Sequence, residues 1–220
     1  MPESNLKAVI WDMDGVIADT GPYHFQAWQR VFKKNGVEFT GEDFQRHFGQ
    51  RNDTIVRNTL GAGVSPDEIK TIAEEKEESY RQLVAGNTRA LPGAIELIQS
   101  LVKSGVKVAI ASSAPMANIK LITRSLGIDS CFQAIVWGGE VTEGKPSPQG
   151  FLLAAEKLGV ERGDCLVVED AVAGVAAAKR AGMKCLAVTN SHPVESLGEA
   201  DLVMDTLQKV TVSNLRALFN

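Results

Sequence analysis

Six short and nearly continuous apolar segments recur along the 220-residue chain, and helix-like segments separate most of them. The apolar segments are rich in β-branched residues, as are strands that are buried on both faces of a parallel sheet. The helix-like segments end on glycine, which commonly terminates helices. This alternation predicts a doubly wound α/β domain with a parallel, Rossmann-like sheet. The predicted strands span residues 6–11, 106–112, 132–137, 165–169, 185–189 and 201–204.

One stretch, residues 18–88, interrupts the alternation with helical patterns alone. Turn-forming residues flank it at 20–22 and 86–93. We therefore predict an all-helical cap over residues 18–88, inserted into an α/β core formed by residues 1–17 and 89–220. The insert follows the carboxyl end of the first strand, where open α/β sheets bind ligands, so we expect it to cover the site.

Charge and composition exclude several partners. The net charge is −4 and no basic run occurs, which disfavours binding to nucleic acid or to an anionic membrane. The first residues form no apolar signal segment, and no apolar run reaches the length of a membrane span. Cys131, Cys165 and Cys185 lie in apolar surroundings without a CxxC motif, which indicates reduced thiols in a cytoplasmic protein. The pattern leaves a monomer and a homodimer open.

Polar residues follow four of the predicted strands, whose carboxyl ends meet at one edge of a parallel sheet. Like-charged carboxylates at close range raise each other's pKa unless a cation neutralises them. A set of oxygen ligands without histidine or cysteine favours Mg²⁺, which readily binds a substrate phosphate as well. The sequence therefore predicts a magnesium site for a small phosphorylated metabolite. The polar residues are Asp12, Asp14, Ser112, Ser113, Lys145, Glu169 and Asp170.

This set suits phosphoryl transfer. A carboxylate at Asp12 can attack phosphorus and form an aspartyl-phosphate. Asp14 can protonate the leaving oxygen and then deprotonate the acceptor. Lys145 and the hydroxyl of Ser112 face the same phosphate, and a turn at Gly15 lets the backbone approach it closely.

The residues DMDGV (12–16), Ser112, GKPSP (144–148) and VVEDAVAG (167–174) resemble, in order and spacing, the four motifs of the haloacid dehalogenase superfamily. The resemblance covers essentially the whole chain, including the inserted cap. It implies Asp12 as nucleophile and Asp14 as acid and base, with Ser112 and Lys145 on the phosphate. It also implies Mg²⁺ on Asp12, on the carbonyl oxygen of Asp14 and on Asp170, with Glu169 as a further ligand or as support. Halide displacement is disfavoured, because it needs neither Mg²⁺ nor Asp14.

Within the cap, DTGPYHFQAW (19–28) is similar to β-phosphoglucomutases and related sugar phosphatases. The mutases carry an arginine at the position of Asn52, and here the arginine is displaced by one residue. A lysine–asparagine pair of the mutases is replaced by Pro115 and Met116. The substrate-binding residues that this resemblance implies are Gly15, His24, Trp28, Gly49, Arg51, Asn52, Lys76, Ser113, Ala114 and Asn118.

Structural alternatives remain for several of these residues. His24 suits a hinge or packing role as well as contact with the substrate. Trp28 suits the cap core, and Lys76 lies in a charged run typical of a solvated helix face. Ser113 suits the N-cap of the next helix, and Asn118 suits an exposed helix position.

The predicted function is a Mg²⁺-dependent phosphatase that acts on a small phosphomonoester such as a sugar phosphate. The alternative is a β-phosphoglucomutase-type phosphotransferase, which shares every core residue. A phosphonate hydrolase is more distant, because it needs a cap lysine in a hydrophobic setting. A phospho-acceptor signalling module is also more distant, because receiver domains carry their phosphorylated aspartate after a later strand.

Overall fold

The computed structural model of the protein describes residues 5–61 and 63–220. Two parts of the sequence interpretation lie outside the described residues. The first is residues 1–4, which the sequence assigns to the core and predicts to form no signal segment. The second is residue 62, which the sequence assigns to the helical insert.

The predicted strands form one six-stranded sheet in the order β3-β2-β1-β4-β5-β6. All described strand pairs are parallel, so the carboxyl ends share one edge. The central strand β1 pairs with β2 on one side, where Trp11 faces Ile110, and with β4 on the other, where Trp11 faces Val168. The strands are β1 (Ala8–Trp11), β2 (Lys107–Ala111), β3 (Ala134–Val136), β4 (Cys165–Glu169), β5 (Lys184–Val188) and β6 (Leu202–Met204).

Two hydrophobic clusters cover the two faces of the sheet. Val9 and Trp11 of β1 pack in one cluster, and Ala8 and Ile10 pack in the other, because successive strand residues point to opposite faces. Helices α5 (Ala94–Lys103), α6 (Met116–Ser125) and α9 (Val212–Ala217) pack on the first face. Helices α7 (Gln149–Leu158) and α8 (Val172–Arg180) pack on the second. The doubly wound α/β prediction is confirmed.

Within the described residues, four helices lie between β1 and α5, in agreement with the all-helical insert. They are α1 (Gly21–Lys34), α2 (Gly41–His47), α3 (Asn52–Leu60) and α4 (Pro66–Val84). They enclose a third cluster, in which the ring of Trp28 stacks on that of Phe32 at 5.0 Å between centroids. The cap-core alternative for Trp28 therefore agrees with its place in this cluster. The residue limits of core and cap stay a prediction.

The cysteines are free thiols. Cys165 and Cys185 are buried in β4 and β5, whereas Cys131 is half-buried in a short 3-10 turn before β3. Among the described residues, no helix combines the length and apolar character that a membrane span needs.

Candidate active site

Asp12 lies directly after β1, at the carboxyl edge of the sheet, and is buried. Its Oδ1 accepts a hydrogen bond of 2.7 Å from Nζ of Lys145. Lys145 follows β3 and donates a second bond to Oε1 of Glu169, at the end of β4. Three chain segments that are distant in sequence thus meet around one ammonium group, as their positions after three strands predict.

Burial and neighbouring charges govern the electrostatics of this group. Burial raises the pKa of Asp12 to about 7, although the positive charge of Lys145 lowers it. The negative charges of Glu169 and Asp14 also raise it. Burial alone lowers the pKa of Lys145, but the two carboxylates that it contacts raise it further than burial lowers it. Lys145 is therefore a permanent cation beside a carboxylate that is costly to keep ionised.

Glu169 is enclosed by the protein. Its Oε1 accepts from Lys145, and its Oε2 accepts from the backbone N–H groups of Asp170 and Ala171, at 2.8 and 2.9 Å. The position of Gly174 admits no side chain, because a Cβ there would overlap the Glu169 carboxylate. Both oxygens have protein partners, and this favours support of Lys145 over direct metal binding.

Asp12, Glu169 and Asp170 form a buried acidic group in which one oxygen of each lies within 4.8 Å of the others. Burial, followed by the charges of Glu169 and Asp12, raises the pKa of Asp170 well above its ordinary value. The Ser191 hydroxyl donates to Oδ2 of Asp170. Lys145 compensates only part of this negative charge, so the donor set fits a hard divalent cation with oxygen ligands such as Mg²⁺.

Gly15 makes room for this acidic group. Its φ of +80° favours glycine, and a Cβ there would overlap Oδ2 of Asp170. The sequence predicts that Gly15 allows close approach of a phosphate; in the structure, the Asp170 carboxylate takes that space. Asn190 also fixes this turn, since its side-chain amide donates to the Gly15 carbonyl at 2.8 Å.

Asp14 has a separate set of partners, supplied by the start of α1. Its Oδ1 accepts from the Thr20 hydroxyl at 2.6 Å and lies 3.1 Å from Nε2 of His24. Burial alone raises the pKa of Asp14, but the charge and hydrogen bond of His24 and the bond from Thr20 lower it overall. The two aspartates of the first motif therefore face different environments, which allows them different roles.

His24 and Lys76 extend this contact into the insert. Nζ of Lys76 lies 2.9 Å from Nδ1 of His24 and donates at 2.7 Å to Glu77. The His24 ring stacks on Tyr80, with 3.9 Å between centroids. Lys76 is only 2% exposed, so the solvated-face alternative for this residue is wrong. The charged run EEKEESY obscured the fact that Lys76 lies on the buried face of α4, with Ile69, Ile72 and Tyr80.

The residues after β2 form the opposite wall. The hydroxyl oxygen of Ser112 accepts from the backbone N–H of Ala114 at 3.1 Å. The hydroxyl of Ser113 donates to the Gly49 carbonyl at 3.0 Å, which links this wall to the insert. Helix α6 begins after Pro115 without a side-chain cap, so the capping alternative for Ser113 is wrong.

Many of these residues line one pocket, which we call the central pocket. Its volume is about 40 Å³, room for a few water molecules and smaller than a sugar phosphate. Several lining residues were not predicted from the sequence: Phe44, Phe48, Gln50, Ile55 and Glu77. The predicted residues that line it are Asp12, Asp14, His24, Trp28, Gly49, Asn52, Lys76, Ser112, Ser113 and Ala114.

Six of the predicted site residues lie outside the lining of the central pocket: Gly15, Arg51, Asn118, Lys145, Glu169 and Asp170. The guanidinium of Arg51 donates to the carbonyl oxygens of Gly138, at 3.0 Å, and of Val141. Asn118 is fully buried, so the exposed alternative for it is wrong. Its amide nitrogen donates to Glu77, which makes it an indirect neighbour of the pocket.

Comparisons with known proteins agree with this geometry. A family model described as haloacid dehalogenase-like hydrolase matches residues 6–182. The chain is 35% identical over 217 residues to a beta-phosphoglucomutase of Bacillus subtilis, covering 96% of this chain and 94% of that protein. It is 33% identical to a phosphorylated carbohydrates phosphatase of Thermotoga maritima, covering 81% and 83%. A crystal structure of a beta-phosphoglucomutase from Clostridium difficile superposes with a TM-score of 0.90 at 29% identity, covering 98% and 97%.

Proposed function

The chain belongs to the haloacid dehalogenase-like hydrolase family, and on this premise we propose that it is a Mg²⁺-dependent phosphatase of a small phosphomonoester. The substrate class is a sugar phosphate, the class named for the Thermotoga maritima relative. The observation that carries the proposal is the buried pair of Asp12 and Lys145 beside an uncompensated acidic group. This arrangement places a nucleophilic carboxylate, a lysine for the phosphate and oxygen ligands for a cation at one edge of the sheet.

In the first step, an oxygen of Asp12 attacks the phosphorus and the bond from phosphorus to the substrate oxygen breaks. Lys145 holds Asp12 in place and offers positive charge to the phosphoryl oxygens. Asp14 delivers a proton to the leaving alcohol; because the contacts with His24 and Thr20 lower its pKa, its carboxylate must first be protonated. The product of this step is an acyl phosphate on Asp12.

In the second step, Asp14 takes a proton from a water molecule, which attacks the phosphorus of the acyl phosphate. The bond between phosphorus and the Asp12 oxygen breaks, and Asp12 returns as a carboxylate with release of inorganic phosphate. His24 and Thr20 orient Asp14 in both steps, because both contact its Oδ1.

Asp12, Asp170 and the carbonyl oxygen of Asp14 would hold Mg²⁺, with Glu169 as support. When bound, the ion supplies positive charge that offsets the buried carboxylates and the phosphate. The insert excludes bulk water once it has closed over the substrate.

A phosphotransferase of the β-phosphoglucomutase type is the second candidate, supported by the match over almost the whole Bacillus subtilis relative. Such an enzyme must bind a sugar that carries two phosphates. Arg51 is the cation that the sequence places nearest to the expected position of a second phosphate. In the structure, its guanidinium donates to backbone carbonyls outside the central pocket. This arrangement favours the phosphatase.

The test is a turnover screen with Mg²⁺ over phosphorylated sugars, sugar alcohols and nucleotides, measured as phosphate release. Asp12→Asn should abolish release, whereas Asp19→Asn, an exposed aspartate of the same segment, should not. Wells with β-glucose 1-phosphate and a catalytic amount of the bisphosphate test the second candidate. Glucose 6-phosphate that accumulates there faster than free phosphate would favour the mutase.

A further inference from the structure

Glu77 places a carboxylate in the wall of the central pocket, where the motifs of the sequence predicted none. Its side chain is 7% exposed and lies on α4, next to Lys76. Oε1 accepts from Nδ2 of Asn52 at 2.8 Å and from Lys76 at 2.7 Å. Oε2 accepts from Nδ2 of Asn118, on the far side of the pocket wall.

Glu77 carries a negative charge at neutral pH. Burial alone raises its pKa, but the charges of Lys76 and His24 and the hydrogen bonds from Lys76 and Asn52 lower it overall. Since Lys76 is committed to this carboxylate and to His24, the pair is close to neutral as a unit.

The carboxylate retains capacity for a ligand. Two carboxylate oxygens offer about four acceptor positions, and the described contacts occupy three of them, two on Oε1 and one on Oε2. The remaining position is on Oε2. A hydroxyl or an ammonium group can donate to it, whereas a phosphate at neutral pH offers mainly acceptor oxygens.

In the described part of the chain, no unengaged lysine or arginine lines this part of the pocket to balance a second anion. Among the described residues that line the central pocket, Lys76 is the one lysine or arginine. Arg81 lies on the same helix but donates to Oδ1 of Asn118 at 3.3 Å, outside the lining. A second phosphate there would meet a Lys76–Glu77 pair that is already close to neutral, so no positive charge is left to balance it.

We propose that Glu77 selects substrates by their charge. It rejects a second phosphate and accepts a hydroxyl or ammonium group on the body of a monophosphorylated substrate. This inference rests on the proposed function, because that function supplies the position of the first phosphate. A second phosphate that is buried without a partner loses its hydration and gains no compensating contact. This cost is an effective basis for specificity against the bisphosphate.

The experiment measures binding in the Asp12→Asn chain, in which turnover is blocked, by calorimetric titration with Mg²⁺. The probes are glucose 6-phosphate, glucosamine 6-phosphate and glucose 1,6-bisphosphate, which share one sugar ring and differ in the charged groups attached to it. We expect both monophosphates to bind more tightly than the bisphosphate. Adding Glu77→Gln should shift the affinity ratio toward the bisphosphate by about tenfold or more, because it removes the charge and keeps the shape.

Glu78→Gln is the matched control, since Glu78 is the next residue on α4 and is exposed. It should leave the ratio unchanged. The proposal is overturned if Glu77→Gln leaves the ratio unchanged, if the bisphosphate binds best before that substitution, or if none of the probes binds. Failure of the proposed catalytic function gives a different result. The unmodified chain then releases no phosphate, although its binding preference is intact.

Discussion

Nζ of Lys145 lies 2.7 Å from Oδ1 of Asp12, although 133 residues separate them in the chain. The parallel sheet produces this contact, because both residues follow strands that end at the same edge. It joins the residue proposed to attack phosphorus to the cation proposed to hold the phosphate.

Removing Lys145 should destabilise the fold as well as stop turnover. Lys145→Met leaves Asp12 and Glu169 buried without their shared cation, which should lower the free energy of unfolding by about 3–5 kcal/mol. In the Asp12→Asn background the same substitution should cost less, since one of the two charges is already gone. Urea unfolding of the four chains of this cycle measures the coupling. Equal costs in both backgrounds would show that the pair is not coupled.

Replacing Asp14 should separate the two chemical steps. With p-nitrophenyl phosphate, the leaving group departs without a proton, so Asp14→Asn should still permit attack by Asp12. Release of phosphate from the enzyme should slow by about a hundredfold or more, because no base activates water. Rapid mixing should then record a burst of p-nitrophenol close to one per enzyme. Steady turnover at the unmodified rate would contradict the role of Asp14.

Two glycines separate backbone strain from crowding. Gly15 and Gly36 both have positive φ, at 80° and 74°, but a Cβ meets Asp170 at the first and open space at the second. Gly36→Ala should cost about 1–2 kcal/mol of stability through strain alone. Gly15→Ala should cost more and should also weaken Mg²⁺ binding, because it displaces Asp170. Similar unfolding midpoints and similar Mg²⁺ affinities for the two variants would contradict this explanation.

Asp201 should make stability depend on pH. Burial alone raises its pKa, but hydrogen bonds from Lys179, Lys184 and the backbone N–H of Cys185 lower it overall. A folded-state pKa below the unfolded value gives stability that is present above the unfolded pKa and lost as pH falls through the folded one. Asp201→Asn should therefore cost about 1 kcal/mol near neutral pH, after allowance for solvent screening.

The cost of Asp201→Asn should shrink below about pH 4, near the unfolded pKa of aspartate. Thermal unfolding of both chains across this range measures it. Asp129→Asn is the control, because Asp129 is exposed. A cost for Asp201→Asn that stays constant with pH would contradict the assignment.

Residues that follow a strand could be placed from the sequence, because the sheet fixes where strand ends lie. Asp12, Ser112 and Lys145 are examples, because the strands that they follow are parallel and end at one edge. The separate partners of Asp14 could not be read in this way, since they depend on how α1 packs against the core.

Side-chain contacts within the insert could be predicted less well from the sequence, because the contacts of a helix depend on its packing as well as on its composition. The run that contains Lys76 and Glu77 reads as a solvated face, but both side chains fall on the buried side of α4. Spacing from Ile69, Ile72 and Tyr80 could have indicated this. The contacts of Arg51 with Gly138 and Val141 had no signal in the sequence, because its partners are backbone carbonyls of a distant loop.

The covalent intermediate is the central claim, and trapping it is the most direct test. The enzyme is mixed with Mg²⁺ and a phosphomonoester that it hydrolyses, quenched in acid within the first turnover, digested and mapped by mass spectrometry. We predict one phosphoryl group on Asp12, absent from the Asp12→Asn chain. A phosphoryl group on another residue, or phosphate release with no phosphorylated enzyme at any time, would contradict the account.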